Sequence, residues 1–405
     1  MANPNPVYRY LITDTSNPGV SNQANFMGEL IGLYGLYMDK NLSKPGNMTF
    51  SFRIDNPLMS QSNMEFWTRP GQRTIWVYRD NNLAWSGIIW SRTYQSNGRV
   101  VNCTAQTADA YLDRVIFPFN YTDFQFPHNL IINLWAQIPT IVGLYFVGRY
   151  PGDFAIPALQ AGFGSGFTIN VDGYQAPTLA SLVDTCVKWG GEYRMQSSEF
   201  SALIGRWNVL EVGMWPPPPG GTEFTVGLKK AQKSITIQYP GSIANYWWPE
   251  SLGVSAGGAS SVYMVGKGAT KAATPFGLVN NNSLIGNTMV STSKRVYDET
   301  ISVQADLNAA LANIAPLFQQ PITNPTFELD VSHSDISLPY NGPFSGLDVG
   351  DYFDYIVTDK WRFPSGRKGE ARVAGWVLKP PSDDGPEQFG ISIVDRLSTI
   401  TADGS

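Results

Sequence analysis

Charged side chains are scarce in this sequence, at 15% of residues, and neither sign gathers into a run. With a formal net charge of −5 and scattered Lys and Arg, there is no basic footprint for a phosphate backbone, which argues against sequence-specific nucleic-acid binding. Histidine and cysteine are nearly absent, with two of each. His128 and His333 lie far apart and no acid or cysteine accompanies them at ligand spacing, so a zinc site or a His-based triad has no support; both are expected to be solvated or hydrogen-bonded loop residues. Cys103 falls in an expected strand and Cys186 in an expected helix, which reads as two buried free thiols and no disulfide framework. Long apolar runs are missing too. The most apolar window, 134–148, is broken by Gln137, Pro139 and Gly143, so no membrane span is expected. Met1-Ala2-Asn3-Pro4 carries neither region of a secretion signal, and the chain is expected to be cytosolic when made.

What is abundant is turn and strand chemistry: 39 Gly, 28 Pro and 13% aromatics. That composition points to a mainly β chain with a large neutral surface suited to partners. The stretch from Arg69 to Arg114 shows it best. Ile75-Trp76-Val77-Tyr78, Trp85-Ser86-Gly87-Ile88-Ile89-Trp90 and Val100-Val101-Asn102-Cys103 read as strands, separated by turns at Asp80-Asn81-Asn82 and Asn97-Gly98. Earlier strands are expected at 7–12, at 29–38, where glycines suggest a bend or bulge, and at 48–54, where apolar and polar residues alternate. Residues 1–118 thus hold enough strands for a first small β-barrel.

Residues 119–221 form an expected α+β insertion. A helix is predicted near 129–137, and a clearer one over 177–189, with Leu179, Leu182, Val183 and Cys186 on one face. Strands are predicted at 192–195 and 207–212, and the run Pro216-Pro217-Pro218-Pro219 closes the unit as a stiff linker. A strand within about 222–255 is expected to return to the first barrel. Residues 256–405 then form an expected second barrel, with a long loop over 267–292 and a helix at about 305–316. In that segment 350–357, 374–378 and 391–396 echo 70–78, 86–90 and the close at Asp113-Arg114, which suggests duplication.

Sites of chemistry are hard to find. Gly164-Ser165-Gly166 lacks the outer glycines of a nucleophile elbow, and Gly266-Lys267-Gly268 lacks the spacer of a phosphate loop. Asp348, Asp351 and Asp354, in an extended segment, would place neighbours on opposite faces, and no acid pair stands out for glycoside hydrolysis. Aromatics say more. The strand Ile75–Tyr78 is apolar on both faces, so its second face is covered either by the same chain or by another subunit. Trp247-Trp248 reads either as a sugar-stacking platform or as a contact anchor.

Tyr8-Arg9-Tyr10-Leu11, the spacing Leu42-x-x-Pro45-Gly46-x-x-x-Phe50-x-Phe52, Pro70-Gly71, Val77-Tyr78-Arg79-Asp80, Trp85-x-Gly87-Ile88 and Leu112-Asp113-Arg114 resemble the minor tail proteins that form the tail-tip or baseplate hub of long-tailed bacteriophages. The resemblance implies a fold that is mainly β, with two small antiparallel barrels related by duplication and an α+β insertion. It also implies a homotrimer whose six barrels form a pseudo-sixfold ring in the virion tail tip, made in the host cytoplasm. Such a ring adapts a hexameric distal tail protein to a threefold tip and surrounds the channel for the tape measure protein and DNA; other minor tail or fibre proteins adjoin it. Many relatives add a C-terminal peptidoglycan-cleaving or fibre domain, and this sequence stops at Ser405, so no enzymatic activity is expected; no cofactor is expected either. Trp76, Tyr78, Trp85, Trp90, Trp247, Trp248, Tyr352, Tyr355 and Trp376 are the candidate interface residues. A carbohydrate-binding adhesin of the same particle, using Trp247-Trp248, is the alternative function, and a β-rich cell-wall glycosidase the next.

Overall fold

In the computed structural model the described residues are 6–15, 26–56, 61–139, 154–155, 167–188, 191–200, 205–214, 236–249, 261–266, 276–280, 293–298, 304–305, 308, 325–330, 348–382 and 385–395. The first set of elements is β1 (Tyr8–Asp14), β2 (Phe26–Leu30), β3 (Tyr34–Asn41), β4 (Asn47–Arg53), a short helix α1 (Gln61–Trp67), β5 (Arg73–Arg79), β6 (Asn82–Gln95) and β7 (Val100–Gln106). The middle of the chain holds β8 (Tyr121–Gln125), α2 (Pro127–Ala136), β9 (Phe154–Ala155), β10 (Phe167–Val171), α3 (Leu179–Lys188), β11 (Gly191–Phe200) and β12 (Gly205–Met214). The remainder forms β13 (Thr236–Tyr239), β14 (Ile243–Trp247), β15 (Ser261–Gly266), β16 (Phe276–Asn280), β17 (Ser293–Asp298), β18 (Thr326–Leu329), β19 (Tyr352–Asp359), β20 (Phe363–Lys379) and β21 (Gln388–Asp395).

Local chemistry explains the boundaries. Asp80 and Asn81 both take positive φ, 47° and 65°, the backbone that a two-residue hairpin between β5 and β6 demands. Gly98 and Arg99 do the same between β6 and β7. Gly32 at φ 70° separates β2 from β3, so the bent strand expected at 29–38 is two strands, and β3 carries its own register shift between Tyr34 and Tyr37. α2 begins on Pro127, whose missing N–H is no loss in a first turn.

The two separate barrels expected from sequence are not what the described strands form. Thirteen of them join one sheet, ordered β14-β18-β21-β20-β3-β4-β7-β6-β5-β1-β2, with β19 and β13 branching from β20; it is open at β14 and β2. The two halves meet where β20 pairs antiparallel with β3, Gly375 opposite Asn41 through Leu378 opposite Met38. One core underlies both: Ile12, Phe50, Ile75, Val77 and Trp85 pack in the same cluster as Ile237, Phe327, Tyr355, Val373 and Trp376. The sequence pattern could not show this, because a pleat records only which face is buried and leaves open which distant edge a strand meets.

Within that sheet the two halves share one strand order. The first runs β3-β4-β7-β6-β5-β1 and the second β14-β18-β21-β20-β19-β13, the same sequence of chain positions, although β1 is antiparallel to β5 and β13 parallel to β19. The likeness extends to single bonds. Gly71 N–H donates to Ile89 O at 2.7 Å, and Gly350 N–H donates to Val373 O at 2.7 Å. Both glycines have positive φ, and directly after Ile89 and Val373 the ladder skips one residue, Trp90 in β6 and Ala374 in β20.

A second core lies in the middle segment, where α2 and α3 pack with Leu112, Phe117, Ile169, Tyr193, Leu210 and Val212. Both predicted helices and both predicted strands of this segment are present, the strands longer than expected. β15, β16 and β17 form a small separate sheet, so part of the loop expected over 267–292 is strand. The proline linker at 216–221, His333 and most of the helix expected at 305–316 lie outside the described residues; residues 304–305 and 308 are helical.

Candidate assembly surfaces and a buried polar junction

Among the described residues no group of His, Cys, Asp or Glu could hold a metal ion, and no helix is long and apolar enough to cross a membrane. The densest polar chemistry is instead a buried junction among the hairpin β11–β12 and both halves of the large sheet. Glu192, Arg194 and Gln196 alternate along β11 and so share one face. Arg194 Nε donates to Glu211 Oε2 at 2.5 Å across the hairpin, and its Nη1 donates to Val349 O at 2.6 Å and to Asp351 Oδ1 at 3.0 Å. Arg372 of β20 donates to Glu192 Oε1 at 2.6 Å. Lys40 of β3 donates to Asp348 Oδ2 at 2.7 Å and to Gln196 Oε1 at 3.2 Å, while Trp376 Nε1 donates to Asp348 Oδ1 at 2.9 Å.

Burial by itself would lower the Arg194 pKa, but Glu211, Asp351 and Asp348 outweigh it and hold the guanidinium charged. Asp348 and Asp351 meet because 348–350 is a turn, with Gly350 at φ 84°, and Asp348 N–H donates to Asp351 Oδ2 at 2.9 Å. The extended backbone assumed from sequence would have kept them apart. The bonds that join the hairpin, β3 and the second half of the chain span 155 to 308 residues and leave no local spacing to find. A second tie joins the halves elsewhere: Arg79 of β5 grips Glu387 through two bonds of 2.8 Å, and Tyr8 donates to the same carboxylate.

The sequence-derived interface residues divide by burial. Trp76, Trp85, Tyr355 and Trp376 are enclosed by the chain itself, with Tyr78 and Tyr352 nearly so. The doubly apolar strand β5 is covered on both faces within one chain. Ile75 and Val77 enter the main core, whereas Trp76 and Tyr78 pack with Leu11 and Leu83 in a second cluster. Over that outer face, Ser86, the cross-strand neighbour of Trp76, bonds Ser197 at 2.6 Å and Asn208 at 2.8 Å of the β11–β12 hairpin. Trp90 is half-buried beneath Arg114, whose guanidinium sits 3.7 Å from the ring centre. Trp248 is half-buried against Tyr355 and Phe363, and Trp247 is 52% exposed. Trp361, at 85%, is an exposed aromatic that the sequence pattern did not single out.

His128 corrects its sequence expectation of a loop residue in contact with water or a partner. It is buried in the first turn of α2, and neither ring nitrogen has a hydrogen-bond partner. Burial lowers its pKa to about 4, while Asp109, buried near the same core, is pushed up to about 6 by desolvation. The two oppose each other. His128 contributes stability above its unfolded pKa near 6.5 and loses it as pH falls toward 4; Asp109 is least costly when protonated and loses stability as pH rises from 3.8 to 6. Relative to wild type, His128→Leu therefore gains stability on acidification from pH 6 to 4 and Asp109→Asn loses it, in urea titrations at each pH. Parallel slopes for all three proteins would refute the assignment.

Both cysteines are free and buried, with Cys103 in β7 and Cys186 in α3. No protein-family model matches the sequence, and no curated protein matches it. Solved structures do resemble the fold. A tail protein from Neisseria meningitidis MC58 superposes with TM-score 0.55 at 12% identity, over 96% of this chain and 97% of that one. The 43 kDa tail protein of prophage MuSo2 from Shewanella oneidensis gives TM-score 0.55 at 11% identity, over 95% and 97%. The prophage tail protein gp18 from Listeria monocytogenes EGD-e gives 0.51 at 10% identity, over 95% and 94%. Almost end to end, with its insertion included, this chain has the fold of phage tail proteins.

Proposed function

We propose that the chain is a structural subunit of a bacteriophage tail tip, made in the host cytoplasm and assembled as a homotrimeric hub ring. The observation that carries this reading is the repeated strand order, β3-β4-β7-β6-β5-β1 and β14-β18-β21-β20-β19-β13, inside a chain with the fold of phage tail proteins. Two similar strand sets per chain, related by an ancestral duplication, give three chains six similar faces. Such a ring meets a hexameric distal tail protein on one side and a threefold tip on the other, with the tape measure protein and DNA in its channel. Residues 1–118 are one ring-forming unit and the strands β13 to β21 the other, since β13 pairs with β19 and β14 with β18 and neither makes the return to the first unit expected from the sequence over 222–255; 119–221 is the insertion docked on them. Its role is contact, and catalysis has no part in this proposal. Mass measurement in solution is expected to give three times the 44.6 kDa chain mass, or a monomer that becomes a trimer on its tail partners. An obligate dimer would overturn the proposal.

A further inference from the structure

β20 uses one edge twice. Its first half pairs with β19, and beyond the end of β19 the same edge, Gly375–Leu378, pairs with β3; the opposite edge carries β21. β6 is built alike, with Asn82–Ile88 on β5 and the opposite edge on β7, yet no described strand takes the edge beyond β5, at Ser91–Tyr94. Burial follows the pairing. Gly375, Trp376 and Leu378 are buried, whereas Ser91, Thr93 and Tyr94 are exposed.

The counterpart of β3 in the second half is β14, which ends the sheet and, among the described strands, pairs only with β18. Met38 and Asp39 of β3 are buried under their seam, whereas Trp248 and Pro249, which follow β14 at the equivalent positions, are half-buried and exposed, respectively. Each chain thus joins its two strand sets by one completed seam and presents both halves of a second, uncompleted one. Open edges of this kind are templates for strand addition, and complementary halves on one chain make a head-to-tail contact that closes into a ring when the rotation suits.

We infer that a second copy of this chain completes the seam, Trp248 and Pro249 just past the end of β14 lying antiparallel along Thr93 and Tyr94 of its neighbour. This rests on the ring reading above and gives its interface a register. Ser91 and Gly375 each follow the skipped residue and face Thr104 and Ser392, respectively. Thr104 and Ser392 in turn face Thr49 and Thr326, which face Tyr37 and Trp247. Trp247 therefore corresponds to Tyr37, Trp248 to Met38 and Pro249 to Asp39. Since Met38 faces Leu378 and Asp39 faces Val377, Trp248 meets Tyr94 and Pro249 meets Thr93 of the neighbour. The proline fits. Leu42 N–H donates to Ala374 O, so by alternation Asp39 occupies a position whose N–H points away from β20, where proline loses no ladder bond.

Non-hydrogen-bonded antiparallel pairs bring side chains closest, so Thr93→Cys with Pro249→Cys is the test; both sites are exposed and outside the cores. Mild oxidation of the purified chain and of tail particles carrying the variant is expected to give intermolecular disulfides, ending at a covalent trimer on a non-reducing gel. The yield should exceed that of the register-shifted pair Thr93→Cys with Asn245→Cys by at least about tenfold. A trimer by mass with equal or no cross-linking in the two pairs, or a disulfide within one chain, overturns the seam and leaves the ring standing. A chain monomeric in solution, uncross-linked in particles and present there in a copy number other than three per tail overturns both.

Discussion

Replacing Arg194 with methionine is expected to lower the unfolding free energy by about 3–5 kcal/mol, the usual cost of removing one member of a buried ion pair. The cost arises from what remains. Glu211 is left buried with its cation gone, and Asp351 and the carbonyl of Val349 lose a donor. Because these partners lie on the hairpin and on the turn before β19, the variant also loosens the hairpin from the large sheet. Hydrogen exchange in β11 and β12 should rise together with the fall in urea midpoint. Pairing Arg194→Met with Glu211→Leu is expected to recover much of the loss, since two apolar groups in place of a buried pair avoid the desolvation penalty. A single variant as stable as wild type would show that the junction contributes nothing.

Trp376→Ala is the second large effect, about 3–5 kcal/mol, as expected for deleting a fully buried indole. Trp376 is 2% exposed, packs against Phe389, and lies at the seam opposite Lys40 while donating to Asp348. Its loss opens a cavity where the two halves of the chain meet. Trp376→Phe keeps most of the volume and gives up the hydrogen bond, so a smaller cost of about 1 kcal/mol is expected. The measurement is urea unfolding of the two variants side by side. Equal costs would mean that the bond, and not the packing, governs the site. Trp376 attracted notice in the sequence as an aromatic suited to subunit contact, and here the expected damage is to the fold of one chain.

Strands and helices were largely legible because their signals are local. Asp80-Asn81 marks a hairpin through its own backbone preference, Pro127 opens a helix where its missing N–H is harmless, and Leu179, Leu182, Val183 and Cys186 repeat at helical spacing. The echo of Arg69–Arg114 near the C-terminus was legible for the same reason, since Gly71 and Gly350 answer the same backbone demand before the same ladder skip. Where the strands went was not. The period-2 pattern of β3 and β20 says that each has a buried face and nothing of their pairing, so closed barrels and one continuous sheet fit it equally.

The sequence alone therefore determined a β-rich chain with a helical insertion, two stretches of similar strand-and-turn pattern, and buried thiols, because composition and short-range periodicity carry those properties. Tertiary structure decided which aromatics remain outside, that the β11–β12 hairpin bonds Ser86 of β6 beside the outer face of β5, and that Lys40, Arg194 and Arg372 share a junction with acids far away in the chain. Those outcomes depend on which edges and faces meet at long range. Alternation along a strand fixes the direction of a side chain, and only the packed fold fixes what it meets.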